Sequence, residues 1–215
     1  MKKKMIYVVF SATPLKMGSM IRTVTREKYN HVAISFDPCL KNLYSYARYY
    51  KSTPFYGGFV KEKSSRYIHR NKIAEIYVCA VPITEGQCKL VKKRLFEMIK
   101  NHRQHRYNIL SAAVAPFSKR VFVPGCFTCI EFVTHILSQI MPEISPYRFY
   151  SIEDLRRLLV DYGVYKGPFP NINNHIIDEN YERRIGIVKN LKLSATSEIG
   201  LIGTFFNKNR ARKGK

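Results

Sequence analysis

The sequence predicts an α+β protein, a small antiparallel sheet packed against helices. Three observations carry this. Short β-branched and aromatic runs dominate the first part of the chain, at 5–12, 31–36, 42–49 and 75–81. Helical periodicity with capping signals takes over after Thr84. The 215 residues, 46% of them apolar, suffice for one well-buried core with a small appendage.

The elements follow in order. MIYVVFSA at 5–12 reads as a first strand. Thr13-Pro14 then opens a helix to about Arg26, with Pro14 near the first turn, where a missing N–H costs nothing. HVAISF at 31–36 is a strand ended by Asp37-Pro38, and NLYSYARY at 42–49 is its hairpin partner. Residues 52–54 form a turn, and Gly57-Gly58 marks another bend. EIYVCAV at 75–81 is a further strand. Thr84-Glu85-Gly86-Gln87 has the form of a capping box. The helix behind it carries Val91, Leu95, Met98 and His102 on one face and basic residues opposite. Residues 107–117 form a second short helix, and 119–124 a loop or edge strand. The run 129–140 is strongly amphipathic, with Phe132, Val133, Ile136, Leu137 and Ile140 on its core face. Ser151 opens a last helix, which ends at Gly163. The pattern weakens after Pro170. The expected organisation is therefore a domain at 1–170 and a basic C-terminal extension at 171–215 with no assigned structure.

The net charge is +22. Such a charge suits nucleic acid, anionic lipid or a polyanionic substrate, or simply reflects a lysine-rich proteome. The basic residues are spread along the chain, and only the terminal KNRARKGK is dense. There is no helix-turn-helix, zinc finger or RNA-binding consensus strip, so nucleic acid is a minority reading. Weak contact of the basic tail with anionic lipid or nucleic acid is the expectation. No apolar run approaches the about 20 residues that span a bilayer. The start, MKKKMIYVVFSATP, has a signal-like basic flank. Its apolar part is short, and Ser11-Ala12-Thr13-Pro14 is a poor cleavage site, so a strand fits better. The five cysteines, Cys39, Cys79, Cys88, Cys126 and Cys129, are odd in number and irregularly spaced. Reduced thiols in a cytoplasmic setting follow.

Two of those cysteines share the segment GCFTCIEFV at 125–133. A structural zinc site needs a second ligand pair, which the chain lacks, and His102 and His105 lie on a basic helix. A redox pair belongs after an early strand of a βαβ unit, which is not where this one falls. Neither a metal nor an organic cofactor is expected. A buried filler thiol suits Cys39, Cys79 and Cys88. Cys129 differs, because it follows Gly125 and opens an amphipathic helix. The positive end of a helix favours a thiolate, and its free N–H groups can hold an oxyanion. Such a nucleophile needs a base. Of six histidines, His31 stands out, since it starts a buried-looking strand where an imidazole needs a hydrogen-bond partner. A structural role for it reads equally well. His135 lies well round the helix from Cys129, and His69, His102, His105 and His175 fall in polar segments.

The stretches YNHVAISFD, NLYSYARYY, PFYGGFVKE and FTCIEFV, in that order, resemble the circularly permuted papain-like hydrolases of the NlpC type. That superfamily includes lecithin:retinol acyltransferase-like enzymes. The resemblance covers about residues 4–167. Unpermuted members place the cysteine helix before the histidine strand; here His31 precedes Cys129, the permuted order. The chain departs from the pattern after the cysteine, where Ile130 stands in place of the more usual serine. The resemblance implies a permuted papain-like fold with Cys129 as nucleophile and His31 as base. It places the third, orienting residue on the strand after the histidine strand. There Leu43, Ser45 and Ala47 share a face, and Ser45 is the inward polar candidate. Glu62 is the competing carboxylate. Tyr7 either lines the cleft as a substrate-binding residue or belongs to the core.

The implied activity is that of a thiol hydrolase, of amidase, peptidase or acyl-transfer type, working through an acyl-enzyme. Its substrate would carry an amide or ester in a peptide, isopeptide or lipid acyl group. Two alternatives are a non-catalytic binding protein on the same fold and a basic surface binder of anionic membrane or nucleic acid.

Overall fold

Strand β1 (Lys4–Ala12) is the spine of the sheet, and its middle residues Val8, Val9 and Phe10 are fully buried because both faces are covered. It pairs antiparallel with β2 (His31–Ser35) on one side and β7 (Glu75–Ile83) on the other. β3 (Leu43–Arg48) and β4 (Gly57–Glu62) continue beyond β2, and β8 (Gly163–Pro168) closes the opposite edge. The order is β4-β3-β2-β1-β7-β8, all antiparallel. A two-stranded ribbon joins β5 (Ile68–His69) to β6 (Lys72–Ile73). In this computed structural model, residues 4–53, 56–69, 72–101, 105–170 and 178–213 are described. The α+β class expected from the sequence is the class observed.

The alternation of β1 sorts its side chains into two cores. Ile6, Val8 and Phe10 face a large cluster with helices α2 (Glu85–Lys100) and α4 (Cys129–Leu137). Val9 faces a second cluster with Ala33, Leu43, Ile76, Val78, Tyr67 and Phe169. α4 lies on β2 and β3. It is anchored there by Phe132, which packs against Tyr46 and Phe59 with ring centroids 5.4 and 5.7 Å apart. Burying three such rings contributes on the order of 2 kcal/mol each.

Several expectations hold with shifted ends. α1 (Lys16–Thr25) starts after Pro14. The capping box of Thr84 and Gln87 opens α2 with both of its hydrogen bonds, and Val91, Leu95 and Met98 are buried on that helix. His102 lies outside the described residues. The expected short helix is α3 (Ile109–Val114) followed by a 3-10 turn to Phe117. α4 ends at Leu137 rather than Ile140, and Ile140 is half-buried in the turn beyond it.

Three expectations change. Gly57-Gly58, expected as a bend, begins β4. The glycines are there for close approach: a Cβ on Gly57 would lie 2.5 Å from the Ala47 carbonyl oxygen, and one on Gly58 2.1 Å from that of His105. Gly58→Ala is therefore expected to cost about 1–3 kcal/mol through overpacking, measurable by denaturant unfolding. The last expected helix is shorter, α5 (Ile152–Leu158), and the chain then turns into β8. β8 is an edge strand with almost every position exposed, so it carries no alternating apolar signal to read.

The third change concerns the stretch beyond 170. Residues 171–177, which include His175, lie outside the described residues. α6 (Glu179–Glu182) and α7 (Ile187–Lys213) follow. Arg66 ion-pairs with Asp178 at 2.9 Å, and its guanidinium lies 4.1 Å from the centre of the Tyr181 ring. Leu201 of α7 is buried against Val123 and Cys126. The extension thus docks on the domain it follows. No helix among the described residues is long and apolar enough to cross a membrane.

Candidate active site

The short segment 121–128 aims Cys129. Val123-Pro124-Gly125-Cys126 is a type II turn: Gly125 has φ +78°, Pro124 precedes it, and the Cys126 N–H donates to the Val123 carbonyl at 3.0 Å. Cys126 is buried against Val123 and Leu201. Thr128 then caps α4 and forms a capping box with Glu131, so Cys129 is the first residue of the helix. The Glu131 and Phe132 N–H groups donate to the Thr128 side chain and carbonyl. The N–H groups of Cys129 and Ile130 are left as the free donors of the first turn among the described residues.

Glu131 does more than cap. Its carboxylate accepts from the Thr128 N–H at 2.7 Å, the Ser111 hydroxyl at 2.6 Å and the Arg120 Nε at 2.8 Å. It therefore ties α4 to α3 and to the 120 loop in a buried ion pair. Removing one partner of such a pair leaves the other unpaired. Glu131→Ala is expected to cost about 3–5 kcal/mol in a thermal or denaturant melt. Nothing in the sequence beyond the Thr-x-x-Glu spacing signalled this role.

His31 sits at the first position of β2, opposite Ser11 of β1. Its Nε2 lies 2.8 Å from Glu62 Oε1. Cys129 lines the same cavity as His31 and bears on the charge of the ring, and with Nε2 taken by Glu62, Nδ1 is the nitrogen left to serve the sulfur. Glu62 ends β4 and is 2% exposed. Ser45, diagonal to Glu62 across the β3–β4 pair, donates to the same Oε1, and the Tyr67 hydroxyl donates to Oε2. Tyr67 is held by stacking on Phe169, with centroids 4.4 Å apart at 11°. Both carboxylate oxygens thus have partners, as a buried charge requires.

The electrostatics follow from this geometry. Burial alone would disfavour the charged imidazole, but the Glu62 carboxylate, with the Cys129 sulfur beside the ring, outweighs it and raises His31 to about 10. Burial likewise opposes the Glu62 charge, and the His31 cation overcomes it, helped by Arg66 and Ser45, and lowers Glu62 to about 2. Burial and the Glu62 charge hold Tyr67 well above the usual phenol value, so it stays a donor. His31 is therefore an imidazolium at neutral pH, between the Glu62 carboxylate and the Cys129 sulfur.

Cys129 stands where two cavities meet. One, of about 400 Å³, also touches His31, Glu62, Tyr107 and Tyr181. The other, of about 570 Å³, runs along Ile130, Thr134 and Tyr150. Tyr107 borders both. A parallel bridge to Phe127 and a hydrogen bond to the Gly57 carbonyl at 2.9 Å hold it there. Tyr7 packs against the second core cluster and is not among the residues lining either cavity. The tyrosine beside the thiol is Tyr107, which the sequence reading did not single out. A larger space of about 1120 Å³ lies between β4 and α7, away from Cys129.

The other thiols and imidazoles are placed elsewhere. Cys79 and Cys88 are buried in the core, and Cys39 is exposed. His135 packs tilted against Phe127, with ring centroids 5.2 Å apart, and His105 is bonded to the Gly125 carbonyl. Among the described residues, no group of three His, Cys, Asp or Glu side chains is placed to hold a metal ion. Comparisons with protein-family models, curated proteins and solved structures returned no match to this chain.

Proposed function

We propose that this protein is a cysteine hydrolase or acyl-transfer enzyme of the permuted papain-like kind, acting on an amide or ester. One observation carries the reading: the buried line from the Cys129 thiol through the His31 ring to Glu62, ending at the wall of a cavity. Cys129 is the nucleophile, His31 the acid and base, and Glu62 the residue that orients the ring. Ser45 and Tyr67 hold Glu62 rather than touching the imidazole.

The steps balance as follows. The Cys129 thiolate, with its proton on His31, attacks the carbonyl carbon. The N–H groups of Cys129 and Ile130 receive the resulting oxyanion. His31 gives its Nδ1 proton to the leaving amine or alkoxide, and a thioester forms on Cys129. Water, deprotonated by the now neutral His31, attacks that thioester. Collapse releases the acid and returns the thiolate, with the proton back on His31. An amine in place of water makes the same site a transferase.

A p-nitrophenyl ester tests the reading. The expected result is a burst of one nitrophenolate per chain and an acyl adduct on Cys129 in the denatured protein, seen by mass spectrometry. A protein that gives neither, and whose Cys129 alkylates no faster than Cys39, is a binding protein on this fold. The docking of Asp178 and Tyr181 adds a further expectation. Truncation after Pro170 removes Tyr181 from the cavity wall and takes Asp178 and Tyr181 from Arg66, leaving it the Arg48 carbonyl, so acylation should slow at least about tenfold. An unchanged burst rate in the truncated chain would show that the extension is not part of the site.

A further inference from the structure

α1 is built inside out. The helix turns Gly18 inward, where a Cβ would lie 2.3 Å from the Thr13 hydroxyl, and is held by Arg22 and Asn30 beside the start of β2. Met20 and Val24, one turn apart, are 60% and 59% exposed. Both border the cavity that runs past Cys129. Across the same mouth lie Pro116, Ser118 and Arg148, next in the chain to Phe117 and Tyr147, which are 74% and 79% exposed. Exposed apolar side chains scattered singly need no explanation, but Met20 and Val24 on the cavity mouth, with Phe117 and Tyr147 beside residues that line it, form a group that does.

Among the exposed charges around this rim cations outnumber acids, Asp154 being an exposed carboxylate that borders it. Lys16, Lys119 and Arg148 are exposed on the three segments that form it, and Arg26 follows α1. The acids bordering the cavity are turned to other work. Glu27 accepts from the Glu153 N–H at the start of α5, Asp154 closes the capping box there, and Glu131 is paired with Arg120. Apolar and aromatic tips flanked by exposed cations, on a chain of net charge +22, match the layered chemistry of an anionic bilayer: hydrocarbon below, phosphate and carboxylate at the surface.

We infer that this rim seats the protein on an anionic phospholipid bilayer, with the mouth of the Cys129 cavity turned to the headgroup layer. The docking itself stands on the surface alone. That it presents Cys129 to a carbonyl at the interface rests on the function proposed above.

Sedimentation with vesicles of phosphatidylcholine, with and without phosphatidylserine, tests this. The full chain should pellet with the mixed vesicles and be released by salt. Val24→Ser/Phe117→Ser/Tyr147→Ser should lower the partition coefficient at least about tenfold. Lys119→Gln/Arg148→Gln should lower it about fivefold per charge and flatten its salt dependence. Iodoacetamide labelling of Cys129 without vesicles is read in parallel and should be unchanged in the triple variant, whose fold is checked by circular dichroism. A wild type that stays in the supernatant overturns the docking. So does a triple variant that pellets like wild type, which would move the contact to the basic tail, or one that instead abolishes self-association, which would make the occupant a second copy. Rim-dependent pelleting by a protein with an unreactive Cys129 would keep the docking and remove the enzyme reading.

Discussion

Cys129→Ala and His31→Ala should each lower turnover by roughly 10⁴-fold or more, and the double variant should be little worse than either single one. On the proposed mechanism the two groups form one device: the thiolate needs the imidazolium beside it, and the imidazolium has no leaving group to protonate without the thioester path. His31→Ala should also move the pH profile of Cys129 alkylation upward, since the cation that favours the thiolate is gone. The start of α4 remains and should preserve part of the reactivity. Alkylation profiles that superimpose in the two proteins would mean that the ring does not act on the sulfur, and the enzyme reading would fall with it.

Glu62→Gln is the second large effect. The amide still fills the pocket, but it leaves the imidazolium unpaired and the Tyr67 and Ser45 hydroxyls without their anion. A fall in turnover of about 10²–10⁴-fold is expected. Ser45→Ala removes only one bond to Glu62 and should cost about tenfold or less. The pair also links stability to pH. Glu62 is lowered, so its contribution is present above the unfolded carboxylate value of about 4.5 and is lost as pH falls toward 2. His31 is raised, so its contribution is full below the unfolded imidazole value of about 6.5 and is lost as pH rises toward 10. The wild type should therefore exceed Glu62→Gln in stability by the most between about pH 4.5 and 6.5, by roughly 2–4 kcal/mol. Urea melts from about pH 3 to 10 check it, and a difference that does not vary over that wider span would show that the two groups are not coupled.

Much of this site is legible in the sequence because it depends on local rules. A cysteine after a glycine turn, at the head of an amphipathic run, reads as a helix N-terminus from residues 125–137 alone. His31 reads as unusual because it opens an apolar strand. Choosing between Ser45 and Glu62 needs the register of β3 with β4, which places both near the ring and gives them different partners. Tyr107 and Tyr181 are invisible from sequence for the same reason, since each reaches the site through contacts with residues far along the chain, and Tyr67, close to Glu62 in the chain, gives no local sign of the bond its hydroxyl makes there. In the fold, buried elements with a clear period were readable. β8 was not, since an exposed edge strand has no apolar face, and Gly57-Gly58 looked like punctuation because close backbone approach leaves no local trace.

The order of the parts along the chain has a consequence for synthesis. β1–β4 bring His31, Ser45 and Glu62 together, with Tyr67 following shortly after. Cys129 is translated only later, and the Tyr181 wall and the Leu201 brace after that. At about 5–20 residues per second, the thiol emerges several seconds after the imidazole–carboxylate pair. Until α4 docks on β2 and β3, the cysteine is an ordinary thiol on an unfinished chain. As the proposed nucleophile, Cys129 joins its base only once α4 docks, so a chain cut short before α4 carries the imidazole–carboxylate pair without the thiol it would serve.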